Sequence, residues 1–277
     1  ELSIQTTNIR NRDFTWITNL IYSHVTTKVT SLMSQARTID LISGEASSGF
    51  TMEGYPHRAI FSMPFQGLTD KGIPTYLNEK GNLTSTDLNF QNRTDNSYLI
   101  YEGPTEPTVT GSLGNELKWK NWRLNIFVTY SFGSYVRLDP VFSARYNDLT
   151  SMTKEFKNRW MQAGDEKITS VPGILPYRMY RDDSSLRIAY NAYNYTSNRT
   201  AKGDFIRMKE ISLGYDFPRA MLQSTPFTNL SLKLQATNLF LIYADKKLNG
   251  QDPEFVNAGG VAAPIPRQFT MTLKFGL

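Results

Sequence analysis

The feature that most constrains the fold is an uneven alternation of connections between amphipathic segments. Turns of almost no length, Arg10-Asn11-Arg12 and Lys120-Asn121, alternate with stretches of about 29–106 and 137–202. A soluble sheet gives no reason for every second connection to be long. A barrel that spans an outer membrane does, because one rim carries short turns and the other carries long loops.

Seven segments carry the period of two that marks a strand with one apolar face. They cover about 2–9, 14–28, 108–119, 122–136, 203–217, 229–243 and 268–277. The clearest is the fourth, where Trp122, Leu124, Ile126, Val128, Tyr130 and Phe132 share a face against Arg123, Asn125, Thr129 and Ser131. In the last, Phe269, Met271, Leu273, Phe275 and Leu277 oppose Gln268, Thr270, Thr272 and Lys274. A soluble sandwich would turn such faces toward a shared core. Two features favour the barrel: segments of about ten residues suit a tilted crossing of a bilayer, and aromatics recur at segment ends (Trp16, Trp119, Trp122, Phe132, Phe217, Phe240, Phe275), where interfacial girdles sit.

Composition agrees with this reading. A hydrophobic fraction of 40% with mean hydropathy of −0.40 leaves no run of about 18 apolar residues, which excludes a membrane helix but not a strand barrel. There is no cysteine, hence no disulfide framework. The net charge of +5 comes from scattered basic residues interleaved with acids such as Glu79 and Asp87, so a nucleic-acid partner is not expected. If the final strand ends in the periplasm, the connections of about 29–106, 137–202 and 244–267 all fall outside the cell. The turns 10–13, 120–121 and 218–228 then fall inside. Seven strands cannot close a membrane barrel, and open edges in lipid would leave backbone groups unpaired. The chain is therefore expected to be a portion of a larger barrel.

Motifs along the chain resemble those of one family. They run from Glu53-Gly54-Tyr55-Pro56 through Phe65-Gln66-Gly67-Leu68 to Gly72-Ile73-Pro74-Thr75-Tyr76 and Asn78-Glu79-Lys80-Gly81. Gly103-Pro104-Thr105-Glu106-Pro107 and the Trp119-Lys120-Asn121-Trp122 turn follow. Next come Asn158-Arg159-Trp160 with Ala163-Gly164-Asp165-Glu166, and Asp204-Phe205-Ile206-Arg207-Met208-Lys209 with Leu213-Gly214-Tyr215. Asn238-Leu239-Phe240, Gly250-Gln251-Asp252-Pro253-Glu254 and Pro264-Ile265-Pro266-Arg267-Gln268-Phe269 complete the set. Together they resemble SusC/RagA-type TonB-linked outer-membrane proteins, with two departures: Ala163 stands where proline is usual, and Leu277 where an aromatic is usual.

The resemblance implies an all-β, antiparallel transmembrane barrel segment, the C-terminal part of a barrel of the 22-stranded plugged type, without the plug domain and N-terminal strands. It also implies a Gram-negative, Bacteroidetes-like outer membrane, crossed many times and in contact with its lipid. The implied partners are a SusD-like surface lipoprotein and, through the plug, the TonB–ExbB–ExbD complex. The implied cargo is an oligosaccharide or, in some members, a peptide. A siderophore or cobalamin importer, and a soluble β-rich carbohydrate-binding or adhesive domain, are the alternatives.

Catalytic readings find little support. His24 and His57 are the only histidines, no nucleophile elbow or zinc spacing is present, and no cofactor is implied. The adjacent Asp182 and Asp183 suit a solvated loop better than glycoside hydrolysis. The acidic stretch from Asp245 to Glu254 fails as an EF-hand loop, because Lys247 and Val256 occupy ligand positions. Ligand contact is expected instead from the loop holding Tyr177, Arg178, Tyr180, Arg181, Asp182, Asp183, Tyr190, Asn191, Tyr193, Asn194 and Tyr195, where rings that stack on sugars stand beside planar polar groups. The same residues would equally pack the loop on itself. Arg207 and Lys209 lie on the outward side of their strand unless a bulge turns them inward.

Overall fold

The computed structural model describes residues 1–44, 49–142, 152–256 and 265–277. Its largest element is a seven-stranded antiparallel sheet in which every strand neighbours the next in sequence. The strands are β1 (Leu2–Arg10), β2 (Phe14–His24), β3 (Val109–Trp119), β4 (Trp122–Phe132), β5 (Phe205–Asp216), β6 (Asn229–Ala244) and β7 (Gln268–Gly276). All seven expected segments form strands. The sheet is open, with β1 and β7 as its edges.

Register turns the alternation of single strands into a two-faced wall. One cross-strand row is apolar from edge to edge: Ile9, Trp16, Leu117, Leu124, Leu213, Leu234 and Met271. The next, nearer the short turns, is Phe14, Trp119, Trp122, Tyr215, Leu232 and Leu273. One step in register along each strand lies a row on the opposite face: Arg10, Thr15, Lys118, Arg123, Gly214, Lys233 and Thr272. A slip of one residue that brings in the neighbour nearer the short turns would carry a cation into the apolar row from β1, β3, β4 or β6, and threonine or glycine from the others, so the pattern itself fixes the register.

The apolar face stays uncovered. Phe269 and Met271 on β7 are 77% and 72% exposed, and Leu213 and Leu234 are exposed in the middle of the wall. Soluble monomers seldom show an apolar patch of that continuity. Among the described residues no second sheet covers it, so the sandwich expectation does not hold.

The strand ends depart from expectation where the chain leaves the wall. The second segment stops at His24, short of 28. The fourth breaks after Phe132: Gly133 adopts φ +84°, and a Cβ there would lie 2.1 Å from Thr108 Oγ1. Tyr135–Arg137 then pairs with Thr200–Lys202, outside the main sheet. On the opposite rim β3 and β4 join through Lys120, at φ +51°, and Asn11 Oδ1 closes the β1–β2 turn by accepting from the Phe14 amide at 2.8 Å.

The two long connections are folded, where the sequence reading had only loops. The first contains α1 (Thr38–Ser43), the pair Ala59–Ser62 and Ile100–Pro104, and a small sheet of Phe65–Leu68, Pro74–Leu77 and Leu83–Thr84. The second contains α2 (Tyr177–Asp182) and α3 (Ser184–Tyr193). They share one core: Leu41, Phe61, Met63, Tyr76 and Leu99 of the first pack with Ala189 and Ala192 of the second.

Candidate functional site

This shared module stands at one end of the wall, on the rim opposite the short turns. Its centre is a charged side chain. Arg137 is buried and donates to Phe61 O (2.6 Å), Ser62 Oγ (3.0 Å), Thr196 O (3.1 Å) and Ile42 O (3.4 Å). It thus joins both long connections at the base of the module. Burial draws its guanidinium down to about 10, with Glu102 opposing the shift. A second buried arginine, Arg199, pairs with Glu155 and donates to Asp139 O at 2.5 Å.

The Arg159-Trp160 and Gly164-Asp165-Glu166 motifs form a local lock. The Trp160 ring lies against Gly72 and Gly173, where an added Cβ would come within 2.5 and 2.9 Å of it. Asp165 Oδ2 accepts from the Met161 and Gln162 amides at 3.0 and 3.1 Å, and Glu166 Oε2 accepts from the Gly164 amide at 2.7 Å.

The expected ligand contacts divide into two groups. Tyr190 and Tyr193 are 2% and 1% exposed, and Asn194 is also buried. Tyr190 hydroxyl donates to Gly72 O, and Tyr193 meets Phe65 edge-on at 5.5 Å. Burial pushes the Tyr193 hydroxyl up to about 12. Asn194 Oδ1 accepts from the Val141 and Phe142 amides, both at 3.0 Å. Asp183 caps α3, accepting from the Ser185 and Leu186 amides at 2.9 and 3.1 Å. Tyr195 is half-buried against the shared core. These residues hold the module together in this structure. A readable signal existed: Leu186, Ala189, Tyr190 and Tyr193 recur at i, i+3, i+4 and i+7, the period of a buried helix face.

The second group reaches solvent. Tyr177 and Tyr180 stack with centroids 6.5 Å apart, and Arg187 lies 5.5 Å over the Tyr180 ring. Arg181 pairs with Asp182 at 2.6 Å and Arg178 approaches the same carboxylate at 3.9 Å, while Asn191 is exposed on α3. The result is a shelf of two rings edged by both charges.

On the polar face of the wall, a groove of about 340 Å³ is lined by Arg123, Asn125, Ser212, Lys233, Thr272 and Lys274, among others. Asp216 neutralises Arg123 at 2.6 Å, and Glu210 approaches Lys233 at 3.8 Å. The bulge question of β5 is answered on the same face. Register shifts flank Arg207, so it stands opposite Thr129 on the polar side and not in line with Leu213. It pairs there with Asp252 and Glu254, which takes both acids away from any calcium loop. Among the described residues no group of three or more His, Cys, Asp or Glu could hold a metal. Pro264 of the last motif lies outside the described residues.

No protein-family model matches the chain. It is similar to TonB-dependent receptor P3 of Formosa agariphila, 26% identical over 270 residues, covering 92% of this chain and 24% of that protein. Receptor P39 of the same organism is 24% identical over 305 residues, covering 95% and 28%. The chain is thus similar in sequence to TonB-dependent receptors. It spans about a quarter of the length of the curated relatives it matches. Its fold is similar to that of the RagAB peptide importer in the open-open state, with TM-score 0.68 and 17% identity over 99% of this chain and 28% of that one. The closed-closed state of the same importer gives 0.67 and 18%. These relatives are receptors and an importer, not enzymes, in agreement with the non-catalytic reading of this chain. No helix among the described residues is long and apolar enough to cross a membrane, which does not bear on crossing by strands.

Proposed function

We propose that the chain is the C-terminal portion of a SusC/RagA-type, 22-stranded outer-membrane barrel that imports a nutrient, with the plug and the remaining strands supplied by the rest of the protein. The observation that carries this reading is the pair of apolar rows running across the wall, which suits lipid on one side and a wet lumen on the other. The aromatic row near the short turns supplies a girdle on the periplasmic side. The long connections then face outward, under a SusD-like lipoprotein, and TonB–ExbB–ExbD drives transport through the plug. Cargo contact is assigned to the exposed shelf of Tyr177, Arg178, Tyr180, Arg181, Asp182 and Asn191.

Oligosaccharide is the favoured cargo, since stacked tyrosines beside charged and amide groups suit pyranose faces and hydroxyls. Peptide is the second reading, favoured by the likeness in fold to a peptide importer. Deleting the full-length gene and measuring growth on defined oligosaccharides and on defined peptides as sole nutrient separates them. Loss on glycans alone supports the first reading, and loss on peptides alone replaces it with the second. Growth unchanged on both would overturn an import role in these nutrients.

A further inference from the structure

Two motifs far apart in sequence form one device. Arg207 of β5 is only 6% exposed at its side chain, and its guanidinium meets Asp252 at 2.5 Å and Glu254 at 3.2 Å. It reaches them from the polar face, because the shift at 208/210, where Lys209 is the extra residue, reverses the alternation of the strand. The segment 245–256 must therefore fold back over that face. Its turn is made by Asn249 at φ +52° and Gly250 at φ +88°.

The rest of the segment is fastened independently. Leu248 is buried among Val136, Leu138 and Ala201. Asp245 accepts from the Lys202 amide at 2.9 Å, and Lys247 Nζ donates to Thr200 O at 3.2 Å. Asn249 and Gln251 donate to Glu155 and Asp139, at 3.2 and 3.3 Å, in the stretch that Arg199 holds.

We propose that Arg207 is a positioning residue that clamps the 245–256 segment onto the inner side of the wall as a fixed ledge, so that this ledge, and not a free loop, borders the path of cargo. The inference rests on the import reading for which side is inner. A nearly buried carboxylate and a second, exposed one on the same guanidinium explain the clamp: removing the cation would leave Asp252, 9% exposed at its side chain, as an uncompensated charge, and the segment would have to swing out to solvate it. A lysine offers one point charge where arginine offers a planar fork, and would hold it less well.

The test uses the full-length receptor in a cysteine-free background, with a spin label at Q251C, an exposed site on the ledge beside Asp252. The expected spectrum is immobilised in the parent, fast in Arg207→Ala, and intermediate in Arg207→Lys. The swap Arg207→Asp with Asp252→Arg is expected to recover part of the lost immobilisation. An unchanged spectrum in Arg207→Ala, or a swap no slower than Arg207→Ala, overturns the clamp. Should Arg207→Ala fail to assemble, Asp252→Asn and Glu254→Gln make the same measurement from the ledge side, and an immobilised label in both overturns it. Labels at L213C and S212C keep the two readings apart. Greater relaxation by oxygen at the first and by a nickel chelate at the second supports the membrane wall. The reverse result sinks the import reading, while the Q251C spectra still decide the clamp.

Discussion

The wall and the module use the same apolar residue types for opposite ends. On the wall, Leu213, Leu234, Phe269 and Met271 point outward and stay exposed. In the module, Leu41, Met63, Tyr76 and Tyr193 point inward and are almost wholly buried. The polar groups invert in step. Arg123, Lys233 and Lys274 of the wall line a groove, whereas Arg137 of the module gives all its described hydrogen bonds to the module itself. The lesson is that burial in this chain depends on which solvent each region faces, and one strand pair, β3 and β4, joins the two regimes.

The largest expected effect falls on the module's buried cation. Arg137→Met keeps volume but removes the one side chain that donates to Ser62 Oγ and to the carbonyls of Ile42, Phe61 and Thr196 together, and should cost on the order of 4 kcal/mol. Proteolysis of the assembled protein would register it as cleavage within 36–99 and 152–200 while the wall stays intact. Cleavage equal to the parent would show that the module does not depend on Arg137.

A charge on the wall comes next. Leu234→Lys places a cation in the apolar row and should cost about 2–4 kcal/mol if that row lies near the bilayer midplane. The native Lys233 one residue away, and Gln235→Lys on the same face as Lys233, should be tolerated. Heat-modified gel mobility after refolding into vesicles measures the folded fraction. Equal tolerance at 234 and 235 would erase the distinction between the faces.

Alkaline pH probes the module alone. Tyr193 titrates near 12 when folded, above the usual tyrosine value of about 10, so its contribution is intact below pH 10 and is lost as pH rises toward 12. The difference between parent and Tyr193→Phe should amount to about 3 kcal/mol across that window. Module-specific hydrogen exchange or fluorescence, followed from pH 9 to 12, would reveal a flatter profile in the variant. Identical profiles would remove Tyr193 as the cause. The smallest effect is Asp183→Ala, which removes the cap of α3 and should lower module stability by about 1 kcal/mol, read by the same exchange measurement at neutral pH.

The wall was legible because its information is local. A period of two survives in each strand by itself, and Trp122 through Phe132 announces its faces without reference to any partner. The module was opaque because its decisive contacts are remote. Arg137 between Val136 and Leu138 reads as the polar side of a strand, yet its partners lie 76 residues away at Phe61 and 59 away at Thr196. For Tyr190 and Tyr193 the sequence leaves ligand contact and self-packing equally open, because aromatic character suits both; the helical spacing they share with Leu186 and Ala189 is what points inward. At Arg207 the sequence left the direction open, since a bulge changes the face of a residue without changing its letter.

The mixed origin of the module's core has a consequence for assembly. Leu41, Met63 and Tyr76 precede β3 in the chain, and Ala189 and Ala192 follow β4. In the barrel proposed above, that core cannot close while the two connections stand on opposite sides of the membrane. Only when the β3–β4 hairpin is fully threaded, its Trp119-Lys120-Asn121-Trp122 tip on one side and both stems on the other, do the two halves meet. Closure around Arg137 therefore records that this hairpin has arrived in place.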